Sequence, residues 1–377
     1  MKIILLIGGS YGIARYGLEL AKALSNLNKL LLIIPNGVLD NKELMPYKDS
    51  IKIETFEVYK GNKILFNFHY QYKILNKINE WNPDIIHNTA GSVYSWYLLL
   101  YPFLNKYKLI FTEHEPKNRH SKSSIFSFKN IQIFFQKKLG SAFIVHGKNS
   151  KNKMIELGYD KDKVKILPHG YYDFYNNKKY KDVNKCPNTI LSFGAFRPDK
   201  GIEFLPEIVN RISNKNPKVK FIIAGNKEWP RELNHTNWPN TVDKIIISLS
   251  KNNNCQIITD YIPDDKVEKF FRKASIVILP YKSASQSGVA AIAFVFRCIV
   301  TSFNLGDIPD VIKNNYNGIL IDENNLDLFI DNIVELLNDK EKMSYISKNS
   351  YEYAKKNLNW NKISIDTFEL YDKIKHK

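Results

Sequence analysis

Cysteine is scarce in this chain: three among 377 residues, Cys186, Cys255 and Cys298, far apart and without CxxC or Cys/His pairing. That argues against a disulfide framework and against a zinc site, and it fits a reducing compartment. Long apolar runs are lacking too. The longest, roughly Val93 to Leu104, is broken by Ser95 and Pro102 and falls short of the ~18–20 residues a membrane span requires. The opening Met1-Lys2-Ile3-Ile4-Leu5-Leu6-Ile7-Gly8-Gly9 has an apolar core of only five residues ending in a glycine turn. A first buried strand is expected there rather than a signal segment. The protein is therefore expected to be cytoplasmic, soluble or peripheral on the inner face of the plasma membrane. Acidic residues are in deficit, 38 against 55 Lys and Arg, for a net charge of +17. The deficit is lopsided: residues 1–180 hold 27 Lys and Arg against 14 Asp and Glu, and the remainder 28 against 24. Two readings stay open, a Lys/Asn-rich composition throughout or an N-terminal half facing an anionic membrane or charged acceptor. No nucleic-acid module is visible, so nucleic acid is not an expected partner.

What is present is ample apolar material, 44% hydrophobic and 13% aromatic residues, enough for sizeable cores in two domains of ordinary size. Short apolar runs at Ile3–Ile7, Leu30–Ile34, Ile51–Val58, Ile85–His87, Leu109–Thr112 and Ala142–Val145 read as strands. Residues 13–27, 66–81 and 125–139 carry helical spacing between them. A second series follows at Thr189–Phe193, Val219–Ala224, Cys255–Thr259, Ile276–Leu279, Ile299–Thr301 and Gly318–Ile321. The alternation predicts an α/β fold of two doubly wound, Rossmann-like domains facing a cleft. The expected boundaries are 1–170 for the first domain, 171–187 for a linker, 188–355 for the second domain and 356–377 for a last helix.

Two turns suit an anion. Ser285-Gln286-Ser287-Gly288-Val289 runs from the strand at 276–281 into an apolar helix, bringing free backbone N–H groups and the positive helix end together. About 90 residues earlier, Phe193-Gly194-Ala195-Phe196-Arg197-Pro198-Asp199-Lys200-Gly201 adds two cations. Arg-Pro-Asp-Lys-Gly is equally good turn chemistry, and Ser-Gly an ordinary entry to a helix. His114, in Phe111-Thr112-Glu113-His114-Glu115-Pro116, lies just past a predicted strand, where open α/β sheets bind ligands; a loop histidine is also often incidental. His87, His146 and His169 are taken as structural. Gly8, Gly9 and Gly12 form a glycine loop after the first strand, but no acidic residue ends the second strand, so a dinucleotide site is not indicated. Lys117–Lys138 and Tyr59–Lys77 mix basic and aromatic residues, which suits either an anionic bilayer or core aromatics beside solvated lysines.

In order along the chain, several segments resemble the retaining glycosyltransferases of family 4, which have the two-domain GT-B fold. Leu167-Pro168-His169-Gly170 is similar to the family's Pro-Asn/His-Gly turn, and residues 193–201 to its Gly-x-x-Arg-x-x-Lys-Gly loop. Phe221-Ile222-Ile223-Ala224-Gly225, Tyr261-Ile262-Pro263, Ala274–Tyr281, Ser283–Val289 and Gly306-Asp307-Ile308-Pro309-Asp310 follow in the family's order. Trp360 resembles the aromatic residue where the last helix crosses back to the first domain. The match is strong across about 165–377 and weaker before it. The resemblance implies Arg197 and Lys200 on a nucleotide diphosphate and the Ser287–Val289 amides capping it. It further implies His114 near the sugar, Gly8, Gly9 and Gly194 lining the donor, Gln286 on the sugar, and Tyr261, Ile262 and Asp310 toward the nucleoside. Tyr261 is equally readable as core packing.

One departure stands out. The family's two glutamates, eight positions apart, are missing: Ala284 and Ile292 occupy those places, or Ser283 and Ala291 in a register shifted by one, and no glutamate occurs between Glu268 and Glu323. Arg297 also stands where a glycine is usual. The expectation is a metal-independent, retaining enzyme without a cofactor, moving a sugar from a UDP- or GDP-sugar to a glycan or lipid-linked glycan, as in surface polysaccharide (lipopolysaccharide or capsule) biosynthesis. A catalytically degraded binding or scaffold protein of the same fold is the alternative. An epimerase or phosphorylase-like enzyme is a third reading, and the latter is disfavoured by the absence of a Lys-bearing cofactor signature.

Overall fold

The computed structural model describes residues 1–9, 11–57, 67–90, 103–116, 128–227, 229, 231–322 and 325–376. The apolar run at 93–104 therefore lies almost wholly outside the described residues, as do much of 117–138 and part of 59–77. The chain forms two units, Met1–Gly170 with Asn359–Lys377, and Tyr171–Leu358.

The first unit is built on seven strands: β1 (Lys2–Leu6), β2 (Lys29–Pro35), β3 (Lys52–Phe56), β4 (Ile85–Asn88), β5 (Lys108–Thr112), β6 (Gly140–Val145) and β7 (Val164–Ile166). They pair in parallel in the order β3-β2-β1-β4-β5-β6-β7. A parallel sheet is covered on both faces, which is why its central strands read as unbroken apolar runs. The pleat divides β1 between two cores. Ile3 and Leu5 face the cluster that holds Ala14, Leu18 and Ala21 of the helix Tyr11–Ser25, whereas Ile4 and Leu6 face the one holding Ile74 and Ile78 of the helix Asn67–Trp81. The last helix, Trp360–Lys375, sends Trp360, Ile363, Tyr371 and Ile374 into the first of these cores.

The second unit contains β8 (Thr189–Phe193), β9 (Lys220–Ala224), β10 (Cys255–Ile258), β11 (Ile276–Leu279), β12 (Ile299–Phe303) and β13 (Gly318–Ile321), all parallel, in the order β10-β9-β8-β11-β12-β13. Residues 171–187, expected as a separate linker, fall within this unit. Tyr172 is buried in its core, and Lys185 Nζ donates to the Ala274 carbonyl at 2.6 Å. Scattered aromatics, rather than a periodic pattern, anchor this segment. The chain returns to the first unit at Asn359 rather than at 356.

In each sheet the order reverses once, between β1 and β4 and between β8 and β11. Connections leaving the carboxyl ends diverge at such a point and open a crevice where ligands bind.

Candidate functional site

In the second unit the loops leaving β8, β9, β11 and β12 are held together by glycines that admit no side chain. A Cβ on Gly225 would lie 1.9 Å from the Gly194 carbonyl oxygen, and one on Gly201 1.8 Å from that of Pro280. Gly201 also has φ +62°, which an L side chain rarely adopts. The Lys282 amide donates to the Asp199 carbonyl at 3.0 Å, and the Asp307 amide to that of Ser285 at 2.7 Å. Gly201→Ala is accordingly expected to cost about 3 kcal/mol, since backbone rather than a flexible side chain must move. Urea unfolding of the second unit would reveal it; an unchanged midpoint would contradict this account of the loop.

The cradle so formed flanks the β8/β11 switch point. The helix Gly288–Val295 is capped by Ser287, whose Oγ accepts from the Ala290 amide at 3.2 Å. The Gly288 and Val289 amides belong to its first turn and have no intrahelical acceptor. Val289 reaches back to within 3.9 Å of where a Gly194 side chain would begin, and the Tyr281 hydroxyl lies 3.5 Å from Ser287 Oγ. Lys200 Nζ stands 4.0 Å over the Tyr281 ring. The structure thus brings Gly194, Lys200, Ser287, Gly288 and Val289 into one neighbourhood. Gln286 adds a half-buried side chain whose Oε1 is buried without a hydrogen-bond partner among the described residues.

Arg197 pairs within its own loop. Its Nε and Nη2 bind Asp199 Oδ1 and Oδ2 at 2.8 and 2.5 Å, a bidentate fork that commits the guanidinium to a neighbour. Lys200 Nζ lies 3.7 Å from the same carboxylate. Burial pushes the Asp199 carboxyl up, but Arg197 and Lys200 outweigh it and hold the group below the usual carboxylate range. Tyr261 is 63% exposed and, with Ile262, follows the outer strand β10. Asp310 lies in the short turn Ile308–Val311, its carbonyl accepting from the Tyr353 hydroxyl at 3.3 Å. The Asp310 amide donates to the Asp307 carbonyl at 3.1 Å, which ties this turn to the loop held by Ser285.

Arg297 has φ +55°, the left-handed backbone that explains why a glycine is favoured there. It follows the carboxyl end of the helix Gly288–Val295, about 12 Å along the axis from the capped end, and its guanidinium lies over the Tyr351 ring at 4.7 Å. It does not enter the cradle.

In the first unit, Gly9 takes φ +103° after β1, whereas Gly12 has open space where a side chain would stand. Gly17 was not singled out in the sequence, yet a Cβ there would meet Thr89 Oγ1 at 2.6 Å, so the helix Tyr11–Ser25 packs close on the end of β4. His114 is 4% exposed, and both ring nitrogens are engaged: Nε2 with the Thr89 carbonyl and Nδ1 with His146 Nε2, each at 3.0 Å. His146 Nδ1 meets the Leu167 carbonyl at 3.0 Å, and His169 Nδ1 that of Gly170 at 2.7 Å. Tyr16 sits at the hub, its ring centre 4.8 Å from His114 and 5.2 Å from both His146 and His169. His87, fully buried, bridges the Tyr371 hydroxyl at 2.6 Å and Thr112 Oγ1 at 2.7 Å. Burial pulls the His87 and His169 imidazoles down to about 3. The four histidines lie in β4 or just past the ends of β5, β6 and β7, which are neighbours in the sheet. That shared edge was the signal available in the sequence.

Among the described residues no helix is long and apolar enough to cross a membrane. The family described as Glycosyl transferases group 1 matches residues 173–353, and that described as Glycosyltransferase Family 4 matches residues 11–172. An uncharacterized glycosyltransferase of Methanocaldococcus jannaschii is 23% identical over 226 residues, 60% of this chain and 55% of that protein. The UDP-Gal:alpha-D-GlcNAc-diphosphoundecaprenol alpha-1,3-galactosyltransferase of Escherichia coli is 22% identical over 236 residues, 59% of this chain and 57% of its own length. The chain thus spans little more than half the length of these curated relatives. The crystal structure of Anabaena HepE with UDP-glucose superposes with a TM-score of 0.75 at 16% identity, covering 99% of this chain and all of that one.

Proposed function

The chain belongs to the glycosyltransferases of group 1 and family 4, with the GT-B fold, and from that premise we propose that it transfers a sugar from a nucleotide-diphosphate donor to a glycan hydroxyl. One observation carries the reading: Lys200, Gly194, Ser287 and the first-turn amides of Gly288 and Val289 converge at the β8/β11 switch point. A diphosphate fits there because a leaving phosphate gains negative charge as the sugar–oxygen bond breaks, and a fixed cation plus a helix start stabilise it. HepE binds UDP-glucose, which supports a UDP-sugar as donor. The finer reading is a metal-independent, retaining hexosyltransferase. A lipid-linked acceptor is supported by the lipid diphosphate named for the Escherichia coli relative. The basic excess of residues 1–180 and the exposed Phe134 near Lys138 support work at an anionic membrane face.

The missing acidic pair favours a second reading, a nucleotide-binding or scaffold protein without turnover. Thermal unfolding with UDP, GDP and their sugars separates the readings. A rise in Tm with one nucleotide, and release of that nucleotide from its sugar in the presence of EDTA and a lipid-linked glycan, is expected. Binding without release in any acceptor mixture would support the scaffold, and no shift with any nucleotide would remove the diphosphate site.

A further inference from the structure

Three contacts run in line through the histidine pair of the first unit: Leu167 carbonyl to His146 Nδ1, His146 Nε2 to His114 Nδ1, and His114 Nε2 to the Thr89 carbonyl, each 3.0 Å. A carbonyl oxygen only accepts, so each outer contact takes one ring N–H. The inner contact requires a proton of its own, because two bare nitrogen lone pairs at that distance repel. Three contacts require three protons, and two neutral imidazoles carry two. Exchanging tautomers does not help: a proton moved to the inner contact leaves a ring lone pair facing a buried carbonyl.

We infer that His114 and His146 share one additional proton, taken from solvent, between Nδ1 of the one and Nε2 of the other, so that the pair is a buried monocation and His146 is the positioning residue for His114. Burial works against this charge and drives each ring toward neutrality, to about 3, while the Thr89 and Leu167 carbonyls work for it. The contact geometry decides in favour of the proton, since any neutral arrangement leaves one of the three contacts without one. The groups packed around the pair are Tyr16, whose burial pushes its hydroxyl up and keeps it neutral, and His169, itself neutral and committed to Gly170. Beyond them lie His87 on β4, held by Tyr371 and Thr112, the buried Glu113 beside His114, and the Arg15–Glu19 pair on the helix of Tyr16. Among the described residues no group of three or more His, Cys, Asp or Glu is arranged to hold a metal ion; a proton is the ligand these two nitrogens accommodate. The charge lies at the carboxyl edge of β5 and β6, where it complements a phosphate, a carboxylate or a developing oxyanion. The inference goes beyond the proposed activity, and its test needs no substrate.

Long-range ¹H–¹⁵N spectra of the full chain labelled at histidine, recorded at about pH 6, just below the ordinary imidazole value of ~6.5, decide it. The two rings together should show three protonated nitrogens, the inner one shared. His146→Gln identifies the signals and removes the demand, because the amide NH₂ donates to His114 Nδ1. In that variant His114 should revert to one N–H, on Nε2. Two rings with a single N–H each in the unaltered protein would overturn the inference, as would a His114 that stays doubly protonated in the variant. Should the variant not fold, the proton count in the unaltered chain decides alone.

Discussion

Lys200→Ala is expected to lower nucleotide-sugar turnover about 10²–10³-fold, the usual consequence of removing one preorganised group that meets charge developing in the transition state. The loop from Gly194 to Gly201 carries two cations and one anion, but Arg197 and Asp199 are joined through both guanidinium contacts. Its net positive charge therefore rests on Lys200, poised over Tyr281 beside the capped helix start. The side chain is 25% exposed and, among the described residues, makes no hydrogen bond and only a 3.7 Å ion-pair approach to Asp199, so its truncation should barely move Tm. The measurement is kcat/KM at fixed acceptor, with thermal unfolding as the control for folding. Turnover equal to that of the unaltered chain, in a variant of unchanged Tm, would remove Lys200 from the diphosphate site and with it the main support for the cradle.

Much of this was legible in the sequence for a physical reason. A strand buried on both faces must be an apolar run, and β1, β2, β8, β11 and β13 were read within about a residue of their ends. β7 was not, because it is an edge strand of three residues in which only Val164 is buried. Glycine turns after β8 and before the helix Gly288–Val295 announced the cradle, since their spacing is local. What the sequence could not display was partnership. Asp199, two residues from Arg197, diverts it through side-chain rotamers that no pattern encodes. The histidines at positions 87, 114, 146 and 169 are 23 to 32 residues apart, and only a parallel sheet lines up their strand ends. Arg297 looked like a lesion in the donor site because its place in a motif was visible, whereas its position beyond the far end of the helix was not.

The same buried histidines set the acid response of the first unit. Lowering the pH from 7.5 to 5 should cost it about 4 kcal/mol through His87 and His169 alone. Both have folded values depressed to about 3, while the unfolded chain titrates near ~6.5. A depressed group contributes its full stability above the unfolded value and loses it as the pH falls toward the folded one. The window is therefore from about 6.5 down to about 3, and at pH 5 each ring accounts for roughly 2 kcal/mol. His87→Asn tests the assignment. It removes one depressed imidazole, so the loss between pH 7.5 and 5 should shrink by roughly 2 kcal/mol. It also lowers stability at pH 7.5, because the buried Tyr371 hydroxyl and Thr112 Oγ1 lose the ring that joined them. Urea unfolding of the full chain at both pH values, followed by hydrogen exchange in peptides from β4 to β6, provides the readout. An equal pH loss in the variant and the unaltered chain would show that His87 is not held neutral. The neighbouring pair makes the slope informative as well: on unfolding near pH 5 the four histidines take up three protons if His114 and His146 already share one, and four if they do not. That difference is about 1.4 kcal/mol per pH unit, well within what paired denaturation curves resolve.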